Sequence, residues 1–170
     1  PLGLGIVGKA YRNEISPRQL LIRMREFTQA ELQIFFDSDK INEHENWNEI
    51  KDYKLIIYSI TGRDKKPVEM SCDETVKKLK LPKFYVHYMA KVQKFFLETL
   101  QIPKDKFRFK ELSEEERAFY NKIHWDMELD LESLGGFKEI GGVHYRTSHD
   151  LSGHEKVSKQ PQEIFFENKK

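Results

Sequence analysis

One stretch constrains the fold of this chain more than any other: residues 10–36, in which two strand-like runs flank a proline-centred break. The break reads I-S-P-R-Q around Pro17, and proline fixes its own φ and offers no amide donor. In a strand, side chains two residues apart point to the same face. The stretch therefore predicts two antiparallel strands joined by a loop of about six residues.

Charged and aromatic side chains share one face of this predicted hairpin. The first run contributes Arg12 and Glu14, and one parity of the second run contributes Arg23, Arg25, Phe27, Gln29 and Glu31. Arginine forks match phosphate oxygens, a phenylalanine can cover a purine, and carboxylates can hold an ammonium group or Mg²⁺. Such a face suits an anionic ligand with a flat ring. An exposed, salt-bridged hairpin face is the alternative that the pattern alone leaves open.

Composition and charge narrow the class of protein. A length of 170 residues predicts one domain, able to bury about two-thirds of its unfolded surface. The 29 basic and 28 acidic residues nearly cancel, which argues against a surface dedicated to nucleic acid. The single cysteine, Cys72, excludes an internal disulfide and favours a reducing compartment, so we expect a cytoplasmic protein. No run of about 18 apolar residues occurs, so no membrane span is expected.

Further strands are predicted at residues 53–60, 107–112 and 125–131, where β-branched residues cluster or apolar residues alternate with polar ones. Residues 1–8 are expected to be the approach to the first strand. In the segment 125–131, Asp126, Glu128 and Asp130 form an acidic face opposite an apolar one. We expect these carboxylates to be turned to solvent, with a metal site as the less favoured alternative.

Besides a short helix with an acidic start at residues 73–79, two further segments are predicted to be helical. Residues 82–101 carry an apolar stripe at three- and four-residue spacing. His87 lies off that stripe, so we expect it at the surface. Ser113 and Glu116 have the spacing of a capping box, which predicts a second helix that continues to Tyr120.

Glu139 is the second functional candidate after the hairpin. A glycine turn at residues 135–136 predicts a returning strand over residues 137–145. Simple alternation puts Glu139 on the same face as Gly141 and Val143, where a lone carboxylate is unusual. The two glycines that begin at Gly141 remove side chains, so that a ligand or another backbone can approach closely.

Two blocks of the sequence resemble the glycyl-tRNA synthetases of archaeal and eukaryotic type, a family of class II aminoacyl-tRNA synthetases. The first block, R-N-E-I-S-P-R followed by R-E-F-T-Q-A-E, begins at Arg12 and resembles the second signature motif of class II enzymes. The second block spans residues 136–154 and resembles the family's G-W-x-E-I-x-G and D-R-T-x-Y-D-L-x-x-H segments. The two blocks occur in the same order as in the family.

This resemblance implies an α+β fold, an antiparallel β-sheet flanked by helices, as part of a class II catalytic domain. It divides the chain into core residues 1–63 with the hairpin, an inserted and mostly helical segment 64–102, core strands 103–154, and a polar tail 155–170. The family's third motif, dimer motif and anticodon-binding domain are not found in the chain. We therefore expect a fragment of the catalytic domain of a homodimeric parent, with little or no activity by itself.

The resemblance further implies ATP-dependent activation of glycine and its transfer to tRNA(Gly). Within that reaction Arg12 is assigned to the α-phosphate and Arg23 to the γ-phosphate of ATP, with Arg12 and Glu14 as the catalytic pair. Phe27 is assigned to stacking on adenine, and Glu14 to the adenine amino group or the tRNA end. The implied ATP site also includes Asn13, Met24, Glu139 and Ile140.

The family also implies the sites for glycine and for the metal ion. Glu31 is assigned to the ammonium group of glycine, Arg146 to the same substrate pocket, and Glu139 to Mg²⁺. The chain departs from the family at Tyr145, where an aspartate commonly precedes the arginine, and at Phe137, where a tryptophan is common.

Two other functions stay open at the level of sequence. One is a synthetase-like binding protein that does not charge tRNA, as in the accessory subunit of mitochondrial DNA polymerase. The phosphate-binding arginines disfavour it, because a scaffold has no need to keep them. The other is a different class II synthetase or an amide-forming paralogue.

Overall fold

The computed structural model describes residues 1–15, 17, 23–60, 66–113 and 115–163. These residues form two β-sheets, one of two strands and one of five, with helices packed against the larger sheet. All strand pairs except one are antiparallel. The α+β architecture expected from the sequence, an antiparallel sheet flanked by helices, is therefore confirmed.

The strands are β1 Leu2–Tyr11, β2 Glu26–Phe35, β3 Lys54–Tyr58, β4 Val68–Ser71, β5 Phe107–Glu111, β6 Ile123–Leu131 and β7 Gly136–Tyr145. The α-helices are α1 Trp47–Ile50, α2 Cys72–Leu79, α3 Lys83–Lys94 and α4 His149–Ser158. A π-helix, Phe95–Thr99, continues α3. Short 3₁₀ turns lie at Ser38–Lys40, Lys104–Lys106 and Glu132–Leu134. No helix among the described residues is both long and apolar enough to span a membrane.

The predicted hairpin is formed by β1 and β2, which pair from Leu2 opposite Phe35 to Tyr11 opposite Glu26. Its bounds differ from the prediction. β1 starts at Leu2, among residues that were expected to precede the first strand, and it ends at Tyr11. The connection is therefore longer than the predicted loop of about six residues, and residues 16 and 18–22 lie outside the described part of the chain.

The end of the hairpin ladder has a local cause. Arg12 still donates its amide to Arg25 O at 2.9 Å, but the amide of Glu14 turns back to Arg12 O at 2.9 Å. This tight turn takes the chain out of the strand direction. Arg12, Glu14, Arg23 and Arg25 thus lie on the connection, whereas Phe27 lies within β2.

The five-stranded sheet has the order β4-β3-β5-β6-β7, with β3 and β5 parallel. One face carries the large apolar side chains of the core and is covered by α1, α2 and α3. The core side chains buried on this face and on the helices above it include Leu55, Ile57, Phe107, Phe109, Trp125, Val86 and Met89. The strands predicted at residues 53–60, 107–112 and 125–131 are all present, with ends shifted by a few residues.

Residues 66–102 supply the edge strand β4 and the helices that cover the sheet. The start of α2 is fixed by a capping box in which Ser71 Oγ accepts from the amide of Glu74 at 3.1 Å. Further along, Tyr85 Oη donates to Val143 O at 2.6 Å and so ties α3 to β7. This segment therefore shares the hydrophobic core of the sheet strands.

His87 was predicted at the surface, and that prediction is wrong. The residue is only 3% exposed, because the segment between β2 and α1 folds over the outer side of α3. His44 from this segment stacks on His87 with ring centroids 3.5 Å apart, and Phe36 stacks on Phe84 at 4.1 Å. Helical periodicity cannot reveal a second covering segment that is distant in the chain.

The helix predicted after Ser113 is also wrong. The reciprocal contacts of the capping box form, with Ser113 N donating to Glu116 Oε2 at 3.0 Å and Glu116 N to Ser113 Oγ at 3.3 Å. Only one turn follows before the chain enters β6 at Ile123. At the other end, α4 reaches Ser158, so the predicted polar tail begins as helix; residues 164–170 lie outside the described chain.

The acidic residues of β6 are not turned to solvent as predicted. Asp126 and Glu128 are each 7% exposed. Cations of neighbouring elements cover this face: Arg108 Nε lies 2.6 Å from Glu128 Oε2 and Lys106 Nζ lies 2.8 Å from Asp130 Oδ2. We call this side of the five-stranded sheet, opposite the helices, the polar face.

Candidate functional site

A β-bulge in β7 decides which way Glu139 points. Gly141 pairs with Met127 and Glu139 pairs with the next residue of β6, Glu128, which leaves Ile140 as an extra residue. One extra residue reverses the alternation of a strand. Glu139 therefore lies with Glu128 on the polar face, and its predicted placement with Gly141 and Val143 is wrong.

Glu139 lies within electrostatic reach of the hairpin connection. Its pKa is raised, chiefly by desolvation and next by the charge of Asp126, while Arg23, His124 and Arg12 act in the opposite direction. The residue keeps an exposed surface, and the largest influence on its pKa is the partial loss of water around the carboxyl group. Arg12 and Arg23 thus lie near enough for their charges to act on the carboxyl group of Glu139.

Phe27 lies on a part of the hairpin surface where the neighbouring side chains are small. Its partner across the ladder is Ala10, and the next pair along the same face is Gly8 with Gln29. A Cβ added at Gly8 would meet no atom within 4 Å. The guanidinium carbon of Arg12 lies 5.4 Å from the centroid of the Phe27 ring. An aromatic face, small neighbours and an adjacent cation can together receive a flat ring with an anionic tail.

The other residues of the connection are close to Arg12 in space. Arg25 Nε donates to Glu14 O at 3.0 Å, which fixes the backbone around Glu14. Asn13 and Met24 lie at the same end of the hairpin, and both are exposed. Their backbone and side-chain groups are therefore accessible to a ligand that lies against Phe27.

Glu31 is held by two amide side chains on the Phe27 face of β2. Gln29 Nε2 donates to Glu31 Oε2 and Gln33 Nε2 donates to Glu31 Oε1, each at 2.8 Å. The carboxylate is exposed and oriented by these neighbours, so its remaining lone pairs can accept an ammonium group. Its charge also reaches His144 of β7.

Arg146 follows β7 directly and is anchored on both sides. Its Nε lies 2.7 Å from Asp150 Oδ2 and its Nη2 donates to Asp150 Oδ1 at 2.8 Å. Its guanidinium carbon lies 4.5 Å from the ring centroid of Tyr120. The residue at the family departure, Tyr145, packs against Phe36 with ring centroids 5.9 Å apart. Asp150 and Tyr120 therefore provide the support for Arg146.

A polar cluster beside the site, with buried Asn121 and a more exposed His144, was not predicted from the sequence. The rings of His124 and His144 lie 3.9 Å apart, and Asn121 Nδ2 lies 3.4 Å and 3.2 Å from their Nδ1 atoms. Burial, and next the charge of His124, lower the pKa of His144 to about 4. Polar residues recur at every second position of β6, but only the pairing with β7 assembles this cluster.

Asp126 completes the same cluster. Its Oδ1 lies 3.0 Å from His124 Nε2, yet the angles leave both atoms without a hydrogen bond. Among the described residues, no three His, Cys, Asp or Glu side chains are arranged to hold a metal ion by themselves. Glu139 fits Mg²⁺ in the other common manner, one carboxylate with substrate phosphates, because desolvation and the charge of Asp126 disfavour its negative charge more than Arg23, His124 and Arg12 favour it.

Comparison with known proteins gives a consistent assignment, although no protein-family profile matches the chain. A glycine–tRNA ligase of Pyrococcus horikoshii is 45% identical over 161 residues, which is 93% of this chain and 28% of the relative. The enzyme of the same name from Methanococcus maripaludis is 37% identical over 177 residues, 98% of this chain and 30% of the relative. That of Methanothrix thermoacetophila is 35% identical over 167 residues, with shares of 97% and 28%.

The chain thus spans less than a third of the length of these relatives. Identity at this level, sustained over nearly all residues of the chain, confirms the resemblance that the two motif blocks indicated. The chain is therefore a homologue, over nearly its whole length, of part of the archaeal glycine–tRNA ligases.

Proposed function

We propose that this chain carries part of the active site of a cytoplasmic glycine–tRNA ligase, a class II aminoacyl-tRNA synthetase that uses ATP and Mg²⁺. The observation that supports this most directly is that Arg12 lies over the half-buried ring of Phe27, and that the charges of Arg12 and Arg23 both act on Glu139. The glycine–tRNA ligases that align with the chain support the choice of reaction. Glycine and tRNA(Gly) are then the substrates, and the parent protein is a homodimer.

In the first step, a carboxylate oxygen of glycine attacks the α-phosphorus of ATP in line, and pyrophosphate leaves. Phe27 stacks on adenine, so that Arg12 beside it meets the α-phosphate and offsets the growing negative charge. Arg23 holds the γ-phosphate. Asn13, Glu14, Met24 and Ile140 line the adenine and ribose, with Glu14 at the amino group of adenine or at the tRNA end.

The amino acid is oriented by charged groups on either side. Glu31, oriented by Gln29 and Gln33, accepts the ammonium group of glycine, and Arg146 contributes to the same pocket. Mg²⁺, where bound at Glu139, supplies charge neutralisation at the phosphates. In the second step a ribose hydroxyl of tRNA attacks the glycyl carbonyl, and AMP leaves.

The two alternative functions that the sequence left open have less support than glycine–tRNA ligation. A non-catalytic binding protein has no need for two arginines and a carboxylate grouped at an aromatic face. A different class II specificity is disfavoured by the name shared by the relatives, glycine–tRNA ligase.

The proposal is tested by calorimetric titration of ATP into this chain. Replacement of Phe27 by alanine is expected to weaken ATP binding about tenfold, because loss of base–aromatic stacking costs about 1–3 kcal/mol. Phe95→Ala is the matched control, since Phe95 is half exposed on the helical side of the sheet. Equal affinity of the Phe27 and Phe95 variants, or no ATP binding by the unmodified chain, contradicts the proposal.

Activity is tested separately by ATP–pyrophosphate exchange with glycine. We expect little or no exchange from this chain by itself, because the proposed site is incomplete. The arginines Arg12 and Arg23 contact the phosphates from one side only, and the chain provides only part of the glycine pocket. Robust glycyl-adenylate formation would show that the site is more complete than we propose.

A further inference from the structure

Arg108 of β5 lies on the polar face in line with Glu139, and the proposed reaction assigns it no role. Across the sheet, Arg108 pairs with Glu128, and Glu128 pairs with Glu139. The three side chains therefore form one row that crosses three strands. Neighbouring strands are about 4.8 Å apart, so the Cα atoms of Arg108 and Glu139 are separated by about 10 Å.

The guanidinium group of Arg108 is held between two aromatic rings. Its Cζ lies 3.9 Å from the ring centroid of Phe137 and 4.2 Å from that of Tyr58. Its Nε lies 2.6 Å from Glu128 Oε2. Contact with two rings and with a carboxylate restricts the torsions of the side chain. A guanidinium oriented in this way loses little conformational entropy when it binds an anion.

The opposite edge of the same guanidinium is unused. Its contact with Glu128 involves Nε alone, whereas an arginine that serves only to neutralise a carboxylate commonly engages it with two N–H groups. Within the described residues, neither Nη atom has a hydrogen-bond partner, and neither is among the buried atoms that lack one. Neither Nη group is therefore fully buried, and the Arg108 side chain as a whole is 16% exposed.

We propose that Arg108 is a phosphate-binding residue, whose free Nη edge takes two oxygens of a phosphate group at the polar face. Planar bidentate recognition of phosphate is the interaction that an arginine fork offers and a lysine does not. The inference rests on the proposed function, since that function brings phosphates to this face from ATP or from a nucleic-acid strand. Tyr58 and Phe137 act as positioning residues for the fork.

The test compares ligand affinities of variants of this chain, measured by titration with ATP, with adenosine and with a short single-stranded RNA. Arg108→Lys keeps the charge beside Glu128 but removes the fork. The double variant Arg108→Gln, Glu128→Gln removes both partners, so that no buried carboxylate is left unpaired. Lys110→Gln is the matched control, because Lys110 is the next cation of β5 on the same face. Circular dichroism verifies that each variant is folded.

We expect Arg108→Lys and the double variant to weaken the binding of ATP, of RNA, or of both by about tenfold or more. Adenosine affinity stays unchanged, and Lys110→Gln changes no affinity more than about threefold. A loss confined to ATP identifies the nucleotide as the phosphate source, and a loss confined to RNA identifies a nucleic-acid strand.

Unchanged affinity of both Arg108 variants for ATP and RNA overturns the inference, as does an equal loss in Lys110→Gln. A failure of this inference can be distinguished from a failure of the proposed function. If Phe27→Ala weakens ATP binding while the Arg108 variants bind both ligands normally, the proposed function stands and only the inference fails. If the unmodified chain binds no ATP, the proposed function fails, and the RNA titration alone decides the role of Arg108.

Discussion

At the scale of single residues, two adjacent glycines of β7 have different neighbours. A Cβ at Gly141 would lie 2.6 Å from Cε of Met127, whereas a Cβ at Gly142 would lie 2.7 Å from His144 Nε2 and 2.9 Å from His124 Nε2. The end of a methionine side chain can rotate away. The two imidazoles pack together and contact Asn121, so they can give way only if the polar cluster is disrupted.

We therefore predict that Gly142→Ala lowers the free energy of unfolding by about 2 kcal/mol, and Gly141→Ala by less than about 1 kcal/mol. Urea unfolding of the two variants beside the unmodified chain measures the difference. Equal losses would mean that the histidine pair is as easily displaced as the methionine.

His87 predicts how stability depends on pH. Burial, followed by the charges of His44 and Lys91, lowers the pKa of His87 from 6.5 to about 4. Between these two pH values the unfolded chain binds more protons than the folded one. The contribution of the neutral, buried His87 to the stability of the fold is therefore fully present above pH 6.5 and is lost as pH falls towards 4. We expect His87 to account for a loss on the order of 2 kcal/mol over this range.

The measurement is urea unfolding at pH 7, 5.5 and 4, with His87→Phe as the comparison. Phenylalanine keeps an aromatic ring against His44 and cannot be protonated, so its curve is expected to fall less steeply with acid. His44 still titrates in both proteins, which leaves a common residual slope. Identical pH profiles would rule out His87 as the source of the acid sensitivity.

At the scale of elements, α3 is fastened to β3 by the buried amide of Gln93, which is 1% exposed. Its Oε1 accepts from the amide of Ile56 at 2.9 Å, and its Nε2 donates to Lys54 O at 2.8 Å and to Tyr53 Oη at 3.2 Å. Without this side chain, the amide of Ile56 loses its partner. A buried backbone donor without a partner costs about 1–3 kcal/mol.

Gln93→Leu is accordingly expected to lower the free energy of unfolding by about 2–3 kcal/mol, although leucine is apolar and suits a core by size. The control is Lys91→Ala, an exposed position of the same helix, for which a change within about 0.5 kcal/mol is expected. Chemical unfolding of both variants provides the test. A Gln93→Leu variant as stable as the control would show that the hydrogen bonds to β3 contribute nothing net.

At the scale of the whole molecule, the two sheets differ in how well they are covered. Exposed apolar side chains occur on both faces of the hairpin, with Ile6 61% exposed on one face and Val7 77% exposed on the other. In the five-stranded sheet, Phe107 and Phe109 are at most 1% exposed. A two-stranded hairpin has little stability without a packed face, and local opening is easiest where few apolar contacts are lost.

We predict that amide hydrogens of β1 and β2 exchange with solvent roughly a hundredfold faster than those of β5 and β6, or faster still. Hydrogen–deuterium exchange resolved by peptide or by residue measures both sheets in one sample, so β5 and β6 serve as the internal control. Equal protection would indicate that the hairpin is stabilised by contacts beyond its two strands.

Sequence reasoning was most successful where a single segment carries its own signal. The proline-centred break and the alternation around it indicated the hairpin, and the clusters of β-branched residues indicated the sheet strands. Arg12, Phe27 and Glu31 were selected as site residues in the same way, because side-chain chemistry and spacing are local properties, and their roles stay predictions. The homology agrees with the motif blocks, which are likewise contiguous in the chain.

Only the tertiary structure decided which face each side chain points to and which side chains cover it. The extra residue Ile140 turned Glu139 to the polar face, the segment around His44 buried His87, and β5 supplied the cation that covers Glu128. A periodic pattern assumes an unbroken strand or helix with one covered side. Bulges and second coverings arise from contacts between residues far apart in the chain, and no local pattern carries that information.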